Sequence, residues 1–230
     1  MEQSRFDARS RARELADQIR ARGDSVGWFE AFYAEAQGEE GRIPWADPDG
    51  HPLLVEWLER GRVQGRGRKA LAVGCGLGED SETLARFGFE VTGFDVSSTA
   101  IGWCRQRFPR SNVRYLTADL FAPPPEWLAS FDFVYEGYTL QALPPEPRQR
   151  ALASITRFVA PGGELLIVTR GRAPGDELGE LPWPLLASEL AALATHGLVQ
   201  RSFDDLPLAG PPDRPGRHFR VHAVREQAAS

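Results

Sequence analysis

Hydrophobic positions repeat with a helical period in the first part of the chain. Small and aliphatic residues from Ala12 to Ile19 fall on one helix face, among charged residues that can face water. Between Phe29 and Ala36, apolar residues recur at i, i+3, i+4 and i+7, and Gly38 follows as a helix stop. The pattern therefore predicts two amphipathic helices near the start of the chain.

After a glycine- and proline-rich loop at residues 38–52, a short helix at 53–58 and a linker at 61–68, the pattern alternates between short apolar stretches and amphipathic segments. Strands are predicted at residues 69–73, 89–94, 113–116, 131–135, 164–169, 198–203 and 218–224. Helices are predicted at residues 80–87, 98–108 and about 146–159, and around Leu186, Leu190 and Leu193. This alternation indicates an α/β fold with a mostly parallel sheet and helices on both faces.

Composition and charge narrow the class of ligand. The 230 residues include 27 basic and 32 acidic side chains, and a net charge of −5 argues against a nucleic-acid partner. No apolar run approaches the ~20 residues that a membrane span needs, and no secretory leader is recognised at the start. Two cysteines are too few for a disulfide framework, which predicts a cytoplasmic protein. The expected partner is a small molecule and not a membrane, and the expected state is a monomer or a homodimer.

A glycine-rich turn between the first strand and the first helix of this alternation is the most informative motif. Gly74, Gly76 and Gly78 occupy every second position there, where the backbone can approach a ligand closely and the helix presents unpaired N–H groups. Asp95 ends the second strand, 21 residues beyond Gly74, where a carboxylate can accept hydrogen bonds from both hydroxyls of a ribose. The pair predicts a nucleoside-containing ligand.

A dinucleotide is the competing ligand for such a turn. Its fingerprint requires glycine or alanine at the sixth position, and counting from Gly74 that position holds Glu79. A carboxylate there would repel a pyrophosphate, whereas Glu79 or Asp80 can tolerate a ligand with an amino group and a sulfonium. The motif therefore favours a cationic nucleoside ligand.

From about Lys69 to Val168 the sequence resembles the class I S-adenosylmethionine-dependent methyltransferases, which carry an acidic glycine-rich first loop. The resemblance implies S-adenosylmethionine as cofactor, with Asp95 on the ribose and Asp119 on the adenine amine. The positions expected to line the cofactor are Trp28, Trp45, Gly74, Cys75, Gly76, Gly78, Asp95, Val96, Asp119, Leu120 and Glu136.

The same resemblance implies the architecture. It predicts a three-layer, Rossmann-like methyltransferase fold with a mostly parallel seven-stranded sheet, an antiparallel last strand and an N-terminal helical cap. The cap is expected to span residues 1–60 and the cofactor-binding domain residues 61–230, as one globular unit.

Two further segments are similar to the thiopurine and thiol/halide methyltransferase group. These are the aromatic helix from Trp28 to Tyr33 and the loop Arg42-Ile43-Pro44-Trp45-Ala46-Asp47, which in that group cover the cofactor. The stretch from Tyr138 to Arg148 resembles the part that borders the transferred methyl. Here Gly137 replaces the group's usual aspartate, and Leu140-Gln141 replaces its paired phenylalanines, so a different acceptor pocket is expected.

The acceptor is a small molecule on this interpretation, with sulfur or another soft nucleophile as the first choice. A thiolate or halide needs no general base for an in-line displacement at a sulfonium methyl group. A hydroxyl or amine acceptor benefits from one, and Glu136 and Tyr138, just after the fourth strand, are the candidate catalytic residues. The alternatives are a small-molecule O- or N-methyltransferase and a non-catalytic module that senses the cofactor.

Several of these residues also have a purely structural interpretation. The aromatic helix has the spacing of a packed helix face, and Glu136 can be a solvated loop acid. Cys75 has no partnered histidine, which favours a small buried filler over a nucleophile. The four histidines show no zinc spacing, so no metal is expected and they are interpreted as structural or surface groups: His51, His196, His218 and His222.

Overall fold

The computed structural model describes residues 2–46, 49–61, 63–208 and 216–227, with the side chains of residues 2–6 and 208 excepted. Asp47, part of the predicted loop over the cofactor, lies outside the described residues. No helix in the described ranges combines the length and the apolar composition that crossing a membrane requires.

Seven α-helices lie in the described part of the chain, and short 3₁₀ turns connect several elements. The helices are α1 (Glu2–Arg20), α2 (Gly27–Ala36), α3 (Pro52–Arg60), α4 (Glu79–Arg86), α5 (Ser98–Arg107), α6 (Pro145–Phe158) and α7 (Ala187–Ala191). Ser97 caps α5 by accepting a hydrogen bond from the Ala100 amide, and His51 caps α3 in the same way through the Leu53 amide.

The strands of the described residues form one sheet. They are β1 (Lys69–Val73), β2 (Glu90–Asp95), β3 (Arg114–Thr117), β4 (Phe131–Gly137), β5 (Val159–Arg172), β6 (Leu185–Leu186), β7 (Leu198–Leu208) and β8 (Gly216–Arg225). Their order is β3-β2-β1-β4-β5-β8-β7, and β6 pairs separately with β5. The pairs from β3 to β5 are parallel, whereas β8 runs antiparallel between β5 and β7. This confirms the mostly parallel sheet with an antiparallel last strand.

Two elements differ from the pattern-based prediction. β5 begins at Val159, so the predicted Pro161–Gly163 turn lies inside the strand, where the register with β4 shifts between Phe131 and Phe133. The predicted helix around Leu186, Leu190 and Leu193 is shorter: Leu186 belongs to β6 and the segment continues after α7 as a 3₁₀ turn. Pairing with neighbouring strands decides both cases, and local periodicity carries no information about it.

Hydrophobic residues on the two faces of the sheet build two separate cores. On one face, Leu71 and Val134 pack with α6 residues such as Ile155. On the other, Phe133 and Leu166 pack with residues of α3, α4 and α5. The result is the three-layer arrangement of an α/β fold.

A third core joins the N-terminal helices to the glycine turn. Trp28 and Tyr33 of α2 are buried there together with Leu77, in the glycine turn before α4, and Ala100 of α5. The cap therefore packs over the carboxyl ends of the parallel strands, where such sheets bind their ligands. The boundary at residue 60 stays a prediction.

Arg148 of α6 holds together the segments that follow β4 and precede β6. Its buried guanidinium donates to the carbonyls of Leu140, Leu143 and Trp183, and it forms a 2.7 Å ion pair with Glu189. Three carbonyl groups would lose their donor if this side chain were removed.

We expect Arg148→Met to lower the free energy of unfolding by about 3–5 kcal/mol, because it leaves buried carbonyls and Glu189 without a partner. Chemical denaturation monitored by circular dichroism measures the change. Arg157→Met, at an exposed position of the same helix, is the matched control and should stay within about 0.5 kcal/mol of the parent. Equal stability of the two variants would contradict the structural role of Arg148.

Candidate functional site

A cavity with a volume of about 280 Å³ lies at the carboxyl ends of the parallel strands, beneath the N-terminal helices. Its lining comes from the turn after β1, the ends of β2, β4 and β5, the segment after β3, and the cap. Of the predicted cofactor positions, the residues that line it are Trp28, Trp45, Gly74, Cys75, Gly76, Asp95, Val96, Asp119 and Leu120. Those outside the lining are Gly78 and Glu136.

The glycine turn is shaped by close contacts that exclude side chains. Gly74 and Gly76 adopt positive φ angles of 57° and 53°, which other residues rarely take. A Cβ atom on Gly74 would collide with the hydroxyl of Thr139, and one on Gly76 would lie 3.0 Å from the Tyr33 hydroxyl. The turn can therefore approach a ligand in the cavity with its bare backbone.

Gly78 lies outside the cavity lining and meets a conformational requirement at the start of α4. It precedes α4 with φ 92°, and a Cβ there would lie 2.6 Å from the Tyr115 hydroxyl, away from the cavity. Its requirement for glycine is conformational and steric, so the structure gives no support to a cofactor contact at this position.

Asp95 is buried at the end of β2 and faces the cavity. One carboxylate oxygen accepts the Gly76 amide at 3.0 Å and the other accepts the Ser97 amide at 2.9 Å. Burial raises the pKa of Asp95 to about 6, despite these two donors. Each carboxylate oxygen keeps a free acceptor site, which is what two ribose hydroxyls require.

The segment after β3 closes the far side of the nucleoside end. Asp119 is exposed and accepts the Phe121 amide at 2.8 Å, whereas Leu120 is buried. Val96 follows Asp95 in the lining. An acceptor beside apolar surface fits an adenine ring with its exocyclic amine.

Aromatic residues of the cap form the roof of the cavity. Trp45 donates its Nε1 hydrogen to the Tyr33 hydroxyl at 2.9 Å, and its ring lies edge-on to Trp28 at 6.2 Å. Trp28 is almost fully buried, and its Nε1 has no hydrogen-bond partner among the described residues. Since buried donors are nearly always paired, this one fits an acceptor atom of a bound ligand.

Two acids and a thiol at the turn are already engaged within the protein. Glu79 lies 2.7 Å from Arg107, and Asp80 accepts the His51 amide at 2.6 Å. A hydrogen bond to Cys104, together with burial, raises the pKa of the Cys75 thiol. A protonated buried thiol is a poor nucleophile, which agrees with a packing role for Cys75.

Glu136 does not take the position that the sequence suggested. Its side chain is fully buried outside the cavity lining, and one carboxylate oxygen accepts the Leu140 amide at 2.9 Å. Burial raises the pKa of Glu136 to about 7. The oxygen that accepts the Leu140 amide fixes the turn after β4, whereas the other is buried without a hydrogen-bond partner among the described residues, so the roles of Glu136 as a base and as a cofactor contact stay predictions.

Tyr138 does line the cavity, and the structure pairs it with His218. The phenol and His218 Nε2 are 2.5 Å apart, and Tyr138 adopts φ 68°, an uncommon backbone conformation for such a residue. Burial lowers the pKa of His218 to about 4, so the imidazole is neutral near pH 7.

His51 lies beside this pair, with its ring centroid 4.7 Å from that of Tyr138. Its Nδ1 accepts the Leu53 amide at 3.1 Å, which places its proton on Nε2. Burial and nearby His218 lower the pKa of His51 to about 4.

Sequence reasoning missed His51, His218 and the cavity-lining Arg170. The interpretation of the histidines as structural or surface groups is confirmed for His51 by its cap on α3, but it is incomplete, because His51 also lines the cavity and His218 bonds to Tyr138. His218 and Tyr138 are 80 positions apart and Arg170 lies on a third strand, so no local spacing could have joined them.

Comparison with known proteins agrees with this geometry. A methyltransferase domain family matches residues 70–163. A probable thiol methyltransferase 2 of Arabidopsis thaliana is 29% identical over 159 residues, and a ubiquinone biosynthesis O-methyltransferase of Pseudomonas fluorescens is 35% identical over 130 residues. These alignments cover 67% and 55% of this chain, and they span 66% and 54% of the relatives' own lengths, less than two thirds in each case.

Solved structures show the same fold. A Burkholderia thailandensis 1,6-didemethyltoxoflavin-N1-methyltransferase, crystallised with 1,6-didemethyltoxoflavin and S-adenosylhomocysteine, superposes with a TM-score of 0.65 at 19% identity. The superposition covers 86% of this chain and 87% of that chain.

The residues of the cavity fit the cofactor of this family. Asp95 offers two free acceptor positions, the bare turn at Gly74 and Gly76 leaves room, and the Trp28 indole offers a buried, unused donor. Residues 70–163 of the chain thus match a methyltransferase domain family, and the cavity that this segment helps to form has the features that S-adenosylmethionine requires.

Proposed function

We propose that the protein transfers a methyl group from S-adenosylmethionine to a small-molecule acceptor. One observation carries the proposal: a single cavity joins the nucleoside-binding features around Asp95 to the Tyr138 side, under a roof of aromatic side chains. A cavity of this kind brings two ligands together and holds them away from water.

Different residues of the cavity bind different parts of the cofactor in this proposal. Asp95 accepts hydrogen bonds from the ribose hydroxyls, Asp119 from the adenine amine, and the backbone from Gly74 to Gly76 lies along the amino-acid part. Trp28 donates its indole hydrogen to an acceptor atom of that part. Phe121 and Ala118 add apolar surface beside the base.

Methyl transfer requires the protein to align the acceptor with the methyl group more than to activate either of them. S-adenosylmethionine, held by Asp95 and the glycine turn, would supply an electrophilic methyl group for the lone pair of the acceptor, with S-adenosylhomocysteine as the leaving group. The faces of Trp28 and Trp45 favour a cation by about 0.5–2 kcal/mol each when it lies within reach. The roof and the segment after β4 exclude water, which removes a competing nucleophile.

Sulfur, in a thiol group, is our first choice of acceptor atom. The similarity to a probable thiol methyltransferase supports it, and so does the engagement of Glu136 in the turn after β4, since a thiolate needs no base from the protein. A thiol of ordinary pKa is partly ionised near neutral pH.

A hydroxyl acceptor is the second candidate, and the Tyr138–His218 pair favours it. A neutral imidazole can take the phenolic proton while Tyr138 takes the proton of an acceptor hydroxyl, so the pair provides a proton path out of the cavity. The similarity to ubiquinone biosynthesis O-methyltransferases agrees with this alternative.

The proposed activity is tested with methyl-labelled S-adenosylmethionine and a panel of small thiols and phenols. We expect labelled product from at least one class of acceptor, and weaker binding of S-adenosylhomocysteine to Asp95→Ala by about 30- to 100-fold, because two ribose hydroxyls lose a charged acceptor. Calorimetry measures the affinity.

Asp17→Ala, at an exposed position of α1, is the control and should bind S-adenosylhomocysteine like the parent. Binding without label transfer to any acceptor would favour a sensing module over an enzyme. Unchanged affinity in Asp95→Ala would contradict the nucleoside assignment.

Cofactor affinity should fall as the pH drops below about 6. Asp95 has a raised pKa when the cavity holds no ligand, and hydroxyl donors favour its charged form, so binding must expel a proton in acid. Calorimetry at pH 5.5 in two buffers of different ionisation enthalpy should show proton release on binding S-adenosylhomocysteine, and little release at pH 8. Asp95→Asn should abolish the difference between the buffers; release that persists in this variant would refute the assignment to Asp95.

Variants of Tyr138 and His218 distinguish a hydroxyl acceptor from a thiol acceptor. Tyr138→Phe and His218→Gln should lower kcat for a hydroxyl acceptor by roughly 10²–10⁴-fold, and kcat for a thiol acceptor by much less. His222→Gln is the matched control on β8, because His222 pairs with Glu164 instead of Tyr138. Equal losses on thiols and hydroxyls would indicate that Tyr138 positions the acceptor and moves no proton.

A further inference from the structure

Arg170 places a positive charge in the cavity beyond Tyr138. It lies near the end of β5, directly opposite His218 on β8, and its partly buried side chain lines the cavity. Its Nε is buried and has no hydrogen-bond partner among the residues that the structure describes. A buried guanidinium donor of this kind is costly unless something pairs with it.

Further positive charges lie near the guanidinium group of Arg170. Burial is the main cause that lowers the pKa of Arg170; Tyr138 acts in the opposite direction, and the positive charges of Arg9 and Arg13 lower it further. Arg9 and Arg13, both on α1, also line the cavity. Arg13 is partly neutralised by exposed Glu180, at 2.8 Å, and it donates to the Leu181 carbonyl.

Among the described residues, the other groups in contact with Arg170 are uncharged near pH 7. Tyr138 and His218 are hydrogen-bonded to each other, and the imidazole is neutral near pH 7. Gln141 accepts the Arg170 amide at 2.6 Å, which fixes the backbone there without neutralising the guanidinium. Counted over the part of the chain that the structure describes, this end of the cavity carries an excess of positive charge.

The position of Arg170 in the sheet separates it from the predicted nucleoside contacts. The glycine turn leaves β1 and Asp95 ends β2, whereas Arg170 lies on β5, with β4 and Tyr138 in between. Two strand spacings correspond to roughly 10 Å at the level of the backbone. An anion bound by Arg170 would thus lie on the acceptor side of the cavity.

We propose that the methyl acceptor is an anion, and that Arg170 binds its carboxylate or a group of similar charge. Arg9 and Arg13 add a positive field at the same end, and the planar guanidinium suits a carboxylate held by two hydrogen bonds. The acceptor is then a small acid with a thiol or hydroxyl group directed toward Tyr138. This inference rests on the proposed methyl transfer, and names its substrate class.

The test compares two probes of equal shape that differ in charge, 4-mercaptobenzoate and 4-mercaptobenzamide. Each is titrated calorimetrically into the full chain saturated with S-adenosylhomocysteine. We expect the acid to bind at least tenfold more tightly than the amide, the ratio that one charged hydrogen bond provides. Arg170→Gln should remove this preference, whereas Arg22→Gln, which changes the same charge at an exposed position after α1, should keep it.

Arg170→Lys is the second variant, since it retains the charge but loses the planar pair of donors. It should keep part of the preference for the acid. Equal binding of acid and amide by the parent, no binding of either probe, or a preference that survives Arg170→Gln would overturn the proposal. Weaker binding of S-adenosylhomocysteine itself to Arg170→Gln would assign the arginine to the cofactor's carboxylate, and would overturn it too.

The binding experiment tests the anion site whether or not the protein transfers a methyl group. If the acid binds through Arg170 but no acceptor is methylated, the anion site stands and the proposed activity fails. If methyl transfer occurs with the same KM for charged and uncharged acceptors, the activity stands and the anion site fails.

Discussion

The rest of the site depends on one constraint: the glycine turn lies in close contact with the cap, with the end of β2 and with the segment after β4. Gly74 lies against the Thr139 hydroxyl, and Gly76 lies under the Tyr33 hydroxyl while its amide donates to Asp95. The backbone at these positions has positive φ angles, so any larger residue would be strained as well as crowded. One turn therefore sets the position of the roof, the carboxylate and the segment after β4.

Charge is distributed unevenly along the cavity. The carboxylates of Asp95 and Asp119 lie at the end formed by β2 and β3, those of Glu79 and Asp80 lie at the turn after β1, and the guanidinium groups lie at the end formed by β5 and α1. Neutral histidines beside Tyr138 separate the two ends, because burial disfavours their protonated forms. The arrangement suits a cofactor with hydroxyl and amine donors at one end and an acceptor with an acidic group at the other.

Buried polar groups outside the cavity maintain this arrangement. Glu136 fixes the turn after β4 through the Leu140 amide, and Arg148 ties the same segment to the chain before β6. Glu30 of α2 accepts hydrogen bonds from Ser97 and Thr99, and so joins the cap to the start of α5. These contacts keep Tyr138 and the roof in register with the glycine turn.

The sequence by itself determined the order of strands and helices, the glycine turn and the acid that ends β2, since local periodicity and turn chemistry depend on neighbouring residues. It also indicated an aromatic cap, whose helical spacing is visible from Phe29 to Ala36. Only the tertiary structure decided that Glu136 is buried outside the cavity lining and that His51, Arg170 and His218 converge on Tyr138. Those side chains come from the N-cap of α3, from β5, from β8 and from the segment after β4. Their proximity depends on strand order and on the antiparallel pairing of β5 with β8, which no local pattern records.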